Sequence, residues 1–229
     1  MLEVQRRFTE RVAEVEAYFG LVSRAHESGA NICSDNRQSG WPLDSDAQRL
    51  LRASGFLVLY NLVESTISDG LTAILTTIEG ECVAYTEASD NVRVLWVKGR
   101  VGDKVDAGNI AQEAHALVAD ALNKAIVKID QKTVMKGGGN IDTARIRAIA
   151  TIVGFERSAG AKAERGGSSL DLVKQKRNTL AHGDYGFLEV GRNYTEADMQ
   201  RIKEQVICYI DAVLQNMARY LISKTYLRK

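Results

Sequence analysis

The residues best equipped for chemistry lie together near the C-terminal third of the chain. Arg177-Asn178-Thr179-Leu180-Ala181-His182, followed by Gly183-Asp184, places a permanent cation, an amide and an imidazole within six residues. A guanidinium keeps its charge at any physiological pH and grips two oxygens of an oxyanion at once. An imidazole, with an ordinary pKa of about 6.5, can take or give a proton near neutrality. The set therefore suits holding an anion while a proton moves. It does not suit metal chemistry. His26 and His115 have no Cys or carboxylate at ligand spacing, and Cys33, Cys82 and Cys208 form no CxxC pair. Neither a metal nor another cofactor is expected, and three scattered cysteines read as reduced thiols.

Helices must position these groups. Ser168 with Asp171 resembles a capping box, and Leu170, Val173, Leu180 and Ala181 carry a helical pattern that stops at Gly183. Asn178 and His182 are then i,i+4 neighbours on one face. Arg177 points about 140° away from His182 on an ideal helix. Two arrangements bring Arg and His together: an unwound last turn, or two copies of the helix facing each other across a twofold axis. A bland alternative makes His182 only a C-cap residue before a Gly183 turn.

The rest of the chain also reads as helix. Val4, Phe8, Val12, Val15, Phe19 and Val22 form a first stripe, expected to end near Ser28-Gly29. A loop follows to Leu43 and holds Pro42, the single proline. Asp44-Ser45-Asp46 offers N-caps for a long helix to about Ile78, apolar on more than one face and so central. Within it, Glu64 either buttresses Arg177 or His182 or is an ordinary polar position. Val92–Val97 reads as a short strand or a helical turn, with helix preferred, and Ile110–Val134 as one helix with Ala114, Leu117, Val118, Ala121, Leu122, Ala125, Ile126 and Ile129 inward. Gly137-Gly138-Gly139 ends it as a linker, with a phosphate cradle as the weaker reading. Asn140 is the expected cap of a short helix through Ile152. Gly154–Gly167 is expected to be a connector, and Gly183–Asn193 a loop. Thr195 with Asp198 caps a last helix striped by Met199, Ile202, Val206, Ile210, Val213, Met217 and Leu221. No segment alternates like a strand, so the fold class is all-α, in one domain over 1–229.

Composition narrows the classes further. The 229 residues are 45% hydrophobic and 26% charged with a formal net charge of +1, which excludes a disordered chain and a general polycation. No stretch is apolar enough to span a bilayer, and the charged N-terminus has no signal-peptide core, so a cytoplasmic protein is expected. The balance hides a local excess. Between Asn140 and Leu180 eight basic residues face four acidic ones, a segment charge of +4.

The hexapeptide resembles the Arg-polar-x-x-x-His motif of the HEPN superfamily, higher eukaryote and prokaryote nucleotide-binding domains. Leu59-Tyr60-Asn61-Leu62-Val63-Glu64-Ser65, Gly139-Asn140-Ile141-Asp142 and Phe187-Leu188-Glu189-Val190-Gly191 extend the resemblance, in order, to the MAE-type HEPN-like nucleases. Residues 80–136 match least well. The resemblance implies a helical bundle with long antiparallel helices. It also implies a metal-independent endoribonuclease, active as a homodimer with a composite cleft, in a toxin–antitoxin or antiviral-defence setting with a cognate partner protein. In such an enzyme the RNA's own 2′-hydroxyl loses its proton and attacks phosphorus, and the 5′-oxygen leaves with a proton. Arg177 would stabilise the phosphorane, His182 would move protons, and Asn178 would orient His182 or donate to phosphate. Lys174, Lys176, Asp184 and Glu64 are supporting candidates, and Tyr185 either stacks a base or packs the loop. For the lysines, solvated surface is the default. The runner-up is a non-catalytic HEPN-type binding module that partners a nucleotidyltransferase or another protein. A third reading is a plain dimeric interaction protein.

Overall fold

A computed structural model describes the chain except for residues 28–29, 33–39, 102–109, 136–139, 162, 164 and 229, and the side chain of Ile110. Among the described residues there are nine helices: α1 (Leu2–Ala25), α2 (Ser45–Gly80), α3 (Asp90–Val101), α4 (Ile110–Leu122), α5 (Gln131–Met135), α6 (Thr143–Val153), α7 (Arg165–His182), α8 (Phe187–Arg192) and α9 (Glu196–Ile222). One small antiparallel pair, β1 (Asn31–Ile32) and β2 (Trp41–Pro42), lies between α1 and α2, with Asn31 opposite Pro42 and Ile32 opposite Trp41. The fold is all-α.

Helix α2 is the axis. Its 36 residues span about 54 Å. Buried residues cover more than one face of it, from Phe56 and Leu59 to Ile74 and Ile78, because α1, α7, α8 and α9 pack against it from several sides, while Asn61, Thr72 and Thr76 stay exposed. A helix with only a narrow apolar stripe could not accept so many neighbours. Asp44 caps its start by accepting from the backbone N–H groups of Asp46 and Ala47. Helices α3 to α6 pack largely among themselves and join the rest through α2–α5 and α6–α7 contacts. The last helix starts with the capping box that Thr195 and Asp198 announce, each side chain bonded to the other residue's backbone N–H.

Several expected boundaries move. The helix expected over Ile110–Val134 stops at Leu122. Lys124 adopts a left-handed φ of 54°. Its N–H donates to Ala121 O and that of Ala125 to Asp120 O, the Schellman pattern normally built on glycine. The chain then runs extended, with Tyr85 N to Ala125 O at 2.9 Å and Val127 N to Val83 O at 2.8 Å. Burial moves with it: Val127 is buried, while Val118, Leu122 and Ile126 are exposed. These long-range bonds outweigh the helical pattern. The Gly183–Asn193 loop contains α8, held so close to α2 that a Cβ on Gly191 would lie 1.9 Å from Arg49 O. The connector expected to reach Gly167 ends early, since α7 starts at Arg165. Gly166 is inside it because a Cβ there would lie 2.2 Å from Gln205 O of α9. Helix α6 is capped by Asp142 rather than Asn140. The expected end of α1 at Ser28-Gly29, the Gly137-Gly138-Gly139 reading, Cys33, and Lys162 and Glu164 in the charge tally lie outside the described residues.

Candidate functional site

Helix α7 presents Asp171, Lys174 and Arg177 at three-residue spacing, so all three lie along one face. That face meets residues 140–143, the extended segment that leads into α6. The Asp171 carboxylate accepts from Thr143 N at 2.9 Å and from Thr143 Oγ1 at 2.8 and 2.7 Å. Lys174 Nζ lies 3.3 Å from Asp142 Oδ2. Arg177 Nη1 reaches Asn140 Oδ1 at 3.5 Å, the outer limit of a hydrogen bond. Successive turns of one helix thus grip three residues of this one segment, Thr143, Asp142 and Asn140. Asp171 is taken up here and not in a capping box with Ser168, whose hydroxyl donates to Arg165 O.

The guanidinium of Arg177 lies over the ring of Tyr60 on α2, with Cζ 4.6 Å from the centroid. Its Nη1 also donates to Asn178 Oδ1 at 3.0 Å. The Tyr60 side chain is buried, and its hydroxyl accepts from Ile141 N at 2.8 Å. Burial is the main cause that pushes its phenol above the ordinary value, opposed by the Ile141 hydrogen bond. The charge of Glu64 adds to the rise, and those of Arg177 and Lys174 oppose it. The phenol therefore stays protonated, and the ring neutral, at pH 7.

His182 faces elsewhere. It is exposed, with no hydrogen-bond partner among the described residues. Helix α7 continues unbroken to His182, and Gly183, at φ 76°, then turns the chain so that Asp184 N bonds Thr179 O at 3.1 Å. Of the two arrangements that bring Arg and His together, the unwound last turn is absent. Within one chain Arg177 and His182 diverge by about 140°. The C-cap geometry of the bland reading is present, since His182 directly precedes the left-handed glycine. No hydrogen bond joins Asn178 to His182; the Asn178 side-chain Oδ1 accepts from Arg177 Nη1. Glu64 is half-buried on α2 and bonds to neither Arg177 nor His182 among the described residues. Lys176 turns to another side, 6.0 Å from the ring centroid of Tyr194. Asp184 and Tyr185 lie exposed in the turn after the helix.

The structure thus gathers Arg177, Asn178 and Lys174 with the 140–143 segment and sets His182, Asp184 and Tyr185 apart at the helix end. Two side chains that the sequence does not mark as site residues, Tyr60 and Asn140, lie directly against Arg177. Both belong to the quoted segments, and that co-occurrence was the available signal. Among the described residues no group of three or more His, Cys, Asp or Glu side chains is placed to hold a metal ion. No described helix is long and apolar enough to cross a membrane.

A comparison with protein families finds that a family model described as HEPN_MAE_28990-like HEPN matches residues 3–226. No curated protein and no solved structure matches the chain at a significant level.

Proposed function

The chain belongs to the HEPN_MAE_28990-like HEPN family, and on that premise we propose that it is a metal-independent endoribonuclease that cuts RNA through its 2′-hydroxyl. HEPN domains serve in general as nucleases or RNA-binding modules. The observation that carries the enzymatic reading is the condition of the two ends of the motif. Arg177 is held by a ring and two amides, with no carboxylate paired to it among the described residues, so its charge is available to a phosphate. His182 stands exposed at the end of α7, open to a substrate from solvent.

In this reading residues 1–229 act as one domain in a homodimer. The partner copy brings its own α7, so that Arg177 of one motif and His182 of the other line one cleft. An imidazole takes the 2′-hydroxyl proton as O2′ bonds to phosphorus. Arg177, with the Asn178 amide, stabilises the charge on the phosphorane. The P–O5′ bond then breaks and the 5′-oxygen leaves with a proton from an imidazolium. The products carry a 2′,3′-cyclic phosphate and a 5′-hydroxyl. Lys174, Lys176, Asp184, Tyr185 and Glu64 support the site, and the locally basic segment draws the backbone in. The setting is cytoplasmic toxin–antitoxin or antiviral defence, with a cognate protein restraining the enzyme.

The test compares wild type with Arg177→Ala and His182→Ala on total and transfer RNA in EDTA. Cleavage by the wild type and a loss of at least about a hundredfold in each variant is expected. Mixing the two variants should restore a fraction of the activity if the cleft is composite. A product bearing a 5′-phosphate overturns the chemistry. The second reading, a non-catalytic binding module, is favoured by the divergence of Arg177 and His182 within one chain. An inactive but folded wild type that still binds RNA establishes that reading instead.

A further inference from the structure

We infer that Tyr60 and Asn140 are positioning residues that set the Arg177 guanidinium for phosphate, an inference that rests on the ribonuclease reading. Arginine is long and flexible, and an oriented fork is what makes its grip on a phosphate specific. The orientation here comes from two directions. The guanidinium lies over the Tyr60 ring, 4.6 Å from Cζ to centroid, where the negative π face attracts a cation. The ring has little freedom to swing away, since it is 2% exposed and its hydroxyl accepts from the backbone N–H of the fully buried Ile141.

The edge is fixed by amides. Asn140, the residue before Ile141, and Asn178 both present Oδ1 to the same nitrogen, Nη1, at 3.5 and 3.0 Å. Nη2 and Nε donate no hydrogen bond among the described residues, so that edge remains for two phosphate oxygens. All three supports are neutral. A carboxylate in their place would orient the group equally well but cancel the charge that the phosphorane needs. One hydrogen bond, donated by the Ile141 backbone N–H to the Tyr60 hydroxyl, ties the two supports together. Arg177 is thus registered to α2 and to the 140–143 segment at once.

The experiment uses the full-length protein and Tyr60→Phe, Tyr60→Leu and Asn140→Ala. It reads kcat and KM on an RNA oligonucleotide, the melting temperature, and the Arg177 Nε–H resonance in 15N-labelled protein. Tyr60→Leu should lower kcat about tenfold with KM moving less than about threefold. Tyr60→Phe, which keeps the π face, should recover most of that loss. The Arg177 resonance should lose its ring-current shift in Tyr60→Leu and keep it in Tyr60→Phe. Asn140 is exposed, so Asn140→Ala should leave the melting temperature unchanged while kcat falls several-fold. Wild-type kcat in a folded Tyr60→Leu, or losses in Phe and Leu that simply follow their melting temperatures, overturn the inference. If Tyr60→Leu does not fold, Asn140→Ala decides: unchanged kcat with an unmoved Arg177 resonance overturns it. An inactive wild type overturns the ribonuclease reading instead, and the Arg177 resonances alone then decide whether ring and amide hold the side chain.

Discussion

Asp171 shows how one carboxylate can serve two segments. Its oxygens take both the backbone N–H and the hydroxyl of Thr143, a residue only 8% exposed. Removing the acceptor leaves two largely buried donors without partners. Asp171→Ala should therefore destabilise the protein by about 1–3 kcal/mol, and Asp171→Asn, which keeps one acceptor oxygen, by less. Urea denaturation of the three proteins measures the difference. The same loss should loosen the segment that carries Asn140, so the variant should also dull Arg177. From sequence alone Asp171 looks like half of a capping box with Ser168, since spacing i,i+3 is the same in both uses. Nothing local distinguishes an acid that caps its own helix from one that bonds to a neighbouring segment.

Helix termination is where local signals were most and least informative. Thr195 and Asp198 form the capping box that their spacing predicts, because all its bonds lie within four residues. The turn that closes α4 is built on Lys124 instead of glycine, at a left-handed φ of 54° that an L side chain adopts at a cost. The extended segment beyond, bonded to Val83 and Tyr85, holds it there. Lys124→Gly relieves that strain without removing any of these backbone bonds. It should raise stability by up to about 1 kcal/mol, less the extra freedom glycine gives the unfolded chain. Thermal denaturation reads the result, and a lower melting temperature would mean that the Lys124 side chain contributes packing of its own. Helix α8 is the opposite failure. Its six residues carry too little periodicity to announce a helix, and its place is set by contact with α2 at Gly191.

Across the whole molecule the segment after α9 closes back on the junction of α2 and α3. Ser89 N bonds Tyr226 O at 2.8 Å and Arg228 N bonds Glu87 O at 2.7 Å. The buried Tyr226 donates its hydroxyl to Glu81 Oε2 at 2.7 Å, and Lys224 Nζ lies 3.0 Å from both Glu81 oxygens. The Tyr226 hydrogen bond, then that of Lys224, holds the Glu81 carboxyl below the usual carboxylate range. A depressed folded pKa adds stability that is complete above the ordinary value of about 4.3 and fades as pH falls through the lower one. Wild type should therefore lose stability between pH 5 and strong acid more steeply than Glu81→Gln, with parallel curves from pH 5 to 7. Burial, and then Glu81, push the Tyr226 phenol up to about 12. For this group the sign reverses: its contribution is present below about pH 10 and lost as pH rises toward 12. Tyr226→Phe should remove that alkaline loss. Guanidinium denaturation across the pH series checks both limbs.

By itself the sequence determined the all-α class, the central place of α2, the capped start of α9, the glycine stop after His182 and the six residues that carry the motif. Those features are written in periodicity, caps and residue chemistry, which depend on neighbours within a few positions. Tertiary structure decided that α7 stays helical through His182, so that Arg177 and His182 diverge. It also decided that Arg177 rests on Tyr60 and Asn140, 117 and 37 residues away in the chain. A guanidinium shows its charge in any sequence, but the ring and amides that orient it come from other elements, and only packing brings them to it.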